Sequence, residues 1–142
     1  MQTDSTLIFV PVLTHMLLVF ALFIKLGIAK NKAVRNKQVD RAAAALDKNA
    51  WPEEVRKISN NIDNQFQVPM LFYALSFIAY LSGNSGPMVA TLLGVYVASR
   101  YIHAYIHITS NHVPHRFRAF LIGTLLLLAL SIMQLLALFG AY

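Results

Sequence analysis

The sequence contains no cysteine. That excludes disulfides, a protein thiolate nucleophile and Cys-ligated zinc or iron–sulfur centres, so any thiol chemistry must use a thiol brought by a substrate. Charge is scarce as well. Only 13% of the 142 residues are Asp, Glu, Lys or Arg, about half the share usual in a soluble domain. The first six residues hold Asp4 but no Lys or Arg. A cleavable signal would start with a positive region, and the apolar run that follows is too long for a signal core. It reads as a retained first span.

What remains is strongly apolar: 57% of the residues, gathered in long runs. One domain of four helical membrane spans accounts for nearly the whole length, over about 7–29, 66–81, 87–108 and 119–139. The second is short for a span, so its helix is expected to begin earlier, near Glu53, and to enter the membrane around Asn64. The AAAA run of Ala42–Ala45 is long enough for a helical turn. Trp51-Pro52 suggests an interfacial anchor and a helix start. SGNSGP at Ser82–Pro87 is an uncharged turn.

The net charge of +6 would suggest nucleic acid in a soluble protein. Here the positive residues sit between spans, so no nucleic-acid partner is expected. The loop over 30–57 and the NHVPHRFR segment hold nearly all of them. By the positive-inside rule both loops are cytoplasmic and both termini lie on the other side.

Polar groups inside spans are costly, so their positions carry information. In the third span Tyr96, Arg100, His103, His107 and Asn111 recur every three or four residues and share one stripe. Arg100, near mid-span, should face an anion, a carboxylate or a wet cavity. The opposite stripe, Ala90, Gly94 and Ala98, has the small-residue spacing of close helix contact, so both faces are expected to be packed. At the start of the second span Asn60, Asn64 and Gln67 share a face, with Asp63 beside them. Arg116 and Arg118 begin the fourth span at the same level. Together these groups predict a polar, cationic pocket for a small anion, opening to the cytoplasm. His103 and His107 also have the HxxxH spacing of metal ligands, but no carboxylate or third ligand accompanies them, and no metal is expected. His15 reads as a packing histidine with satisfied hydrogen bonds.

NQFQVPMLFYAL at Asn64–Leu75, RYIHAYIH at Arg100–His107 and VPHR at Val113–Arg116 together resemble the motifs of the membrane-associated proteins in eicosanoid and glutathione metabolism, the MAPEG family. The resemblance spans nearly the whole chain and points to a divergent, bacterial-type member of the inner membrane. It implies a homotrimer of four-helix protomers, with glutathione held between subunits near the cytoplasmic side and a lipophilic second substrate arriving from the lipid. It further implies that Asn64 and Gln67 hold glutathione, that Arg100 and His103 match the family's Arg-x-x-His, and that Arg116 holds the thiolate. Arg35 is a weaker match to a basic residue that contacts the tripeptide. Three positions depart from the pattern. Gln67 stands for the usual Glu, Asn60 for a common Arg, and His107 for a Tyr near the thiol.

The expected activity is a glutathione-dependent transferase or peroxidase acting on lipophilic electrophiles or lipid hydroperoxides. The thiolate would be stabilised by Arg116, with His103 or His107 donating a hydrogen bond or acting as a general acid. The rival expectation is a non-catalytic protein that binds a small anion or a lipid headgroup in the same cationic pocket between subunits.

Overall fold

The computed structural model describes residues 5–140, and all their regular structure is helical. Helix α1 runs over Phe9–Arg35, α2 over Arg41–Leu46, a 3-10 turn over Lys48–Ala50, α3 over Glu53–Gln65, α4 over Val68–Leu81, α5 over Pro87–Ile108 and α6 over Val113–Leu138. Asp4, used above to assign the sides of the membrane, lies outside the described residues.

Local chemistry explains most of the helix starts. Asp40 accepts hydrogen bonds from the Ala42 and Ala43 amides and caps the alanine run. Pro52 precedes α3, whose first turn holds Glu53 and Glu54, favourable against the helix dipole. Helices α4, α5 and α6 each have a proline in the first two positions, where the missing amide is not needed.

Three boundaries differ from the expected ones. The first helix continues beyond Ala29 to Arg35, so the basic segment begins as helix. Buried Ala29 and Ala33 pack this extension against Val55, Ile58 and Ile62 of α3. The last helix starts at Val113, ahead of Ala119, with Pro114 in its first turn. The second span is not the end of one continuous helix. The chain breaks at Phe66 and Gln67, where Gln67 adopts φ −99° and ψ −104°. Pro69 supplies the cause. It has no amide to offer the carbonyl of Gln65, and its ring would clash there.

Two helices, Phe9–Arg35 and Val113–Leu138, are long and apolar enough to cross a membrane, and only 28% and 22% of their most apolar stretches are buried. Core helices of a soluble protein would hide most of such a surface. Instead Val10, Leu13, Leu17, Phe20, Ile24 and Ile28 line an exposed face of α1, and Ile122, Leu125, Leu128, Ile132 and Leu135 line one on α6. Apolar faces of this extent mark contact with lipid or with other subunits. Helix α4 has 14 residues, about 21 Å of rise, which is short of a hydrocarbon core on its own. Helix α5 is long enough at 22 residues, but Arg100, His103 and His107 lower its apolar character.

The most extensive interface joins α5 to α6, while α1 packs on both α3 and α5. Gly123 of α6 permits the first contact. A Cβ there would lie 2.6 Å from Ser99 Oγ and 3.4 Å from the Tyr96 ring. The small-residue stripe of α5 is only loosely packed within the chain. Ala98 is exposed, and Ala90 and Gly94 line a groove with Val10, Pro11 and Thr14 of α1, with nothing within 4 Å of where a Cβ at Gly94 would lie.

The interior has three layers. One apolar cluster gathers Ile8, Val12, Phe72, Leu75, Leu93, Tyr96, Leu127 and Leu130. A second gathers Leu18, Leu22, Val55, Ile58, Ile62 and Ala104. His15, Gln65 and Arg100, buried and polar, fall between the members of the two clusters along the chain, and buried Asn61 joins them through its hydrogen bond with Gln65.

Candidate functional site

The polar layer begins with Arg100, which is 1% exposed. Its Nε and Nη2 donate to Gln65 Oε1 at 3.3 and 3.1 Å, and Nη2 also donates to the Asn64 carbonyl at 3.2 Å. The same Gln65 oxygen is 3.2 Å from His15 Nε2. Because that oxygen only accepts, Nε2 carries the imidazole proton and Nδ1 accepts from the Tyr73 hydroxyl at 2.7 Å. Gln65 Nε2 donates to Asn61 Oδ1 at 2.8 Å, and Asn61 Nδ2 donates to the Ala104 carbonyl at 3.2 Å. One directed network thus ties α1, α3, α4 and α5 together. All the side chains that meet Arg100 in it are neutral.

His15 is the satisfied packing histidine expected from the sequence. Asn61 and Gln65 were not singled out, and their neighbours Asn60 and Asn64 were. The buried positions of α3 are Val55, Ile58, Asn61, Ile62 and Gln65. They form a single stripe at helical spacing, so the periodicity of Val55, Ile58 and Ile62 alone would have pointed inward at Asn61 and Gln65. Arg100 therefore meets an amide oxygen and a backbone carbonyl rather than a carboxylate or open water.

Beside this layer lies a cavity of about 200 Å³. Asn64, Gln67, His103 and Arg116 line it together with Phe117 and Phe120. Four residues singled out from three separate segments are thus brought together. The break at Phe66–Gln67 turns the Gln67 position toward it, and the early start of α6 supplies Arg116 from its first turns. Asn64 Nδ2 donates to the Asn60 carbonyl at 2.8 Å. Arg116 Nη1 donates to Asn111 Oδ1, and Asn111 holds this place with φ +51°, a left-handed conformation that Asn tolerates.

His103 is buried against the opening turns of α6. Its Nδ1 lies 3.1 Å from the Arg116 carbonyl and must donate to it. The lone pair of the ring is then on Nε2, which is buried without a partner among the described residues. His107 stacks edge-on against His103 at 5.6 Å between ring centroids, and its own Nδ1 is buried and unpartnered.

The other expected site residues fall elsewhere. Arg100 stands behind the cavity rather than in its wall, and His107 is buried outside it. Asn60 is exposed and lines a different cavity. Arg35 is exposed at the last position of α1 and does not line the Asn64–Arg116 cavity. Tyr96 of the α5 stripe is fully buried in the apolar cluster and stacked on Phe72 at 4.9 Å. The lower part of the stripe, Arg100, His103 and His107, is the polar part.

Exposed apolar helices around a buried polar layer and a cationic cavity define a helical membrane protein with a built polar site. The MAPEG family model matches residues 8–136, nearly the whole chain, and the protein belongs to the MAPEG family. No curated protein and no solved structure gives a significant match.

Proposed function

We propose that the protein is a glutathione-dependent transferase or peroxidase that acts on lipophilic electrophiles or lipid hydroperoxides. The observation that carries this reading is the cavity in which Asn64, Gln67, His103 and Arg116 meet. In it a guanidinium and a neutral imidazole stand beside two amides. That set suits a small anionic thiol better than a neutral apolar ligand.

The chemistry follows from these groups. The glutathione thiol loses its proton to His103 Nε2, which keeps a free lone pair and belongs to the imidazole among the residues lining the cavity. Arg116 stabilises the thiolate sulfur by charge, which counts for more away from bulk water. With an electrophile the thiolate forms the C–S bond as the leaving group departs, and the proton on His103 passes to that group or to solvent. With a hydroperoxide it takes the terminal oxygen as the O–O bond breaks, and the departing alkoxide takes up the proton from His103. A second glutathione then condenses with the resulting sulfenic acid to give the disulfide and water. Asn64 holds carboxylate or amide groups of the tripeptide, and Gln67, where the family has Glu, faces its amino group. Arg100 adds a fixed positive potential from behind, undiminished by any carboxylate in its network.

The family supplies the quaternary part of the proposal: a homotrimer with glutathione between neighbouring subunits, in which Arg35 and Asn60 contribute from the rim and His107 stands near the thiol. A cavity of about 200 Å³ in one chain fits part of a tripeptide and leaves the rest to a neighbour. Exposed Met70, Leu71, Phe77 and Ile78 of α4, and Val95 and Ile102 of α5, support four membrane crossings within a single domain. Loop charge supports a cytoplasmic face for the site in a bacterial inner membrane, with both termini opposite.

Purified protein incubated with glutathione and a chloronitrobenzene electrophile tests the proposal. Conjugation that disappears in Arg116→Ala supports it. No turnover, together with no shift in melting temperature at millimolar glutathione, rejects it in favour of a non-catalytic binder of a small anion or lipid headgroup.

A further inference from the structure

A second cavity, of about 450 Å³, lies between the end of α1, the α2–turn segment and α3. Four cations, Lys30, Lys48, Arg56 and Lys57, line it against one carboxylate, Glu53. Glu53 is already engaged by Lys57 at 2.7 Å, a contact that holds its carboxyl below the usual range, and Lys48 is paired with Asp63 at 3.4 Å. Among the described residues neither Lys30 nor Arg56 forms an ion pair. The Lys30 ammonium lies 4.8 Å over the Trp51 ring, and Arg56 Nε is buried with no hydrogen-bond partner among the described residues. A buried donor without an acceptor is costly and uncommon, and a ligand oxygen removes the cost.

We propose that this cavity is a second anion site and that its ligand is an anionic phosphate group. Two unpaired cations of different geometry, with the amides of Asn49 and Asn60 on the same wall, match several oxygens around one centre better than they match a planar carboxylate. The position agrees. The apolar run of α1 gives way to Lys30 and Lys32 here, and Trp51 is the kind of residue found at headgroup depth. The phosphate therefore belongs either to an anionic phospholipid or to a free phosphate compound. Asn111 lines this cavity and also accepts from Arg116, so it forms the partition between the two sites.

The test is a melting titration of detergent-purified protein in two arms. One arm adds inorganic phosphate at an ionic strength held constant with chloride. The other adds phosphatidylglycerol, with zwitterionic phosphatidylcholine as control. A rise in melting temperature in either arm above its control, with apparent affinity weakened roughly tenfold or more by Lys30→Gln/Arg56→Gln, supports the site. The responding arm identifies the source. Asn49→Asp, an exposed change that adds a carboxylate to the wall, should weaken binding similarly and guards against misfolding of the double variant. The proposal fails if neither phosphate nor phosphatidylglycerol exceeds its control. It fails equally if Lys37→Gln/Arg41→Gln, which removes two exposed cations outside the cavity, weakens binding as much.

Discussion

Arg100 and Gln65 are joined by two hydrogen bonds to a single amide oxygen, at 3.3 and 3.1 Å, inside a layer closed to solvent. A guanidinium buried against a neutral partner keeps its full charge. The arrangement satisfies its donors without cancelling its field, and that field reaches the neighbouring cavity.

Replacing Gln65 by Leu removes the acceptor shared by Arg100 and His15. The expected loss is roughly 1.5–3 kcal/mol, the range for hydrogen bonds to a charged group, read as a lower unfolding midpoint. Gln65→Glu separates stability from function. It keeps the acceptor and neutralises Arg100, so the fold should persist while affinity for an anion in the cavity falls.

His103 should act through its free Nε2. His103→Gln retains a side chain able to donate to the Arg116 carbonyl but has no basic nitrogen. The conjugation rate should then fall below that of the wild type at low pH, where the bound thiol is still protonated, and converge on it as pH rises and the thiol ionises against Arg116 without a base. A pH–rate profile identical to that of the wild type would remove His103 from the chemistry.

Gln67 stands where the family has Glu, so Gln67→Glu should tighten glutathione. One added charge-assisted hydrogen bond corresponds to about tenfold or more in Kd, measurable by calorimetry. Unchanged or weaker affinity would mean that Gln67 does not face the amino group of the ligand.

Gly123 sets how closely α6 approaches α5. Gly123→Leu forces its side chain into Ser99 and Tyr96. Overpacking of this kind costs about 1–3 kcal/mol, and the melting temperature should fall. A full retention of stability would show that the interface has room to separate.

Much of this organisation is legible in the sequence because hydropathy and periodicity are local. The bounds of α5 fall where the apolar run and Pro87 place them, and the alanine helix and the start after Pro52 follow from single residues. The convergence of Asn64, Gln67, His103 and Arg116 was legible from their common depth at the ends of three segments. The inward turn of Asn61 and Gln65 was not, because polar residues in a polar segment look solvated until Arg100 and His15 are seen opposite them. Nor was the break at Gln67 anticipated, although Pro69 and its effect on the carbonyl four residues earlier were in view. Charge alone does not separate the two cavities, since the basic residues of both lie in neighbouring stretches of chain. Which cavity a cation joins depends on how α1 extends past the apolar run to lie against α3.

The central claim is that the cavity around Arg116 binds glutathione as a thiolate. Ultraviolet difference spectroscopy reads this directly, because a thiolate absorbs where a thiol does not. Adding glutathione to the purified protein near neutral pH should produce a saturable thiolate band that is absent with S-methylglutathione and lost in Arg116→Ala. A saturating calorimetric signal without that band, or a band unchanged by Arg116→Ala, would contradict the account.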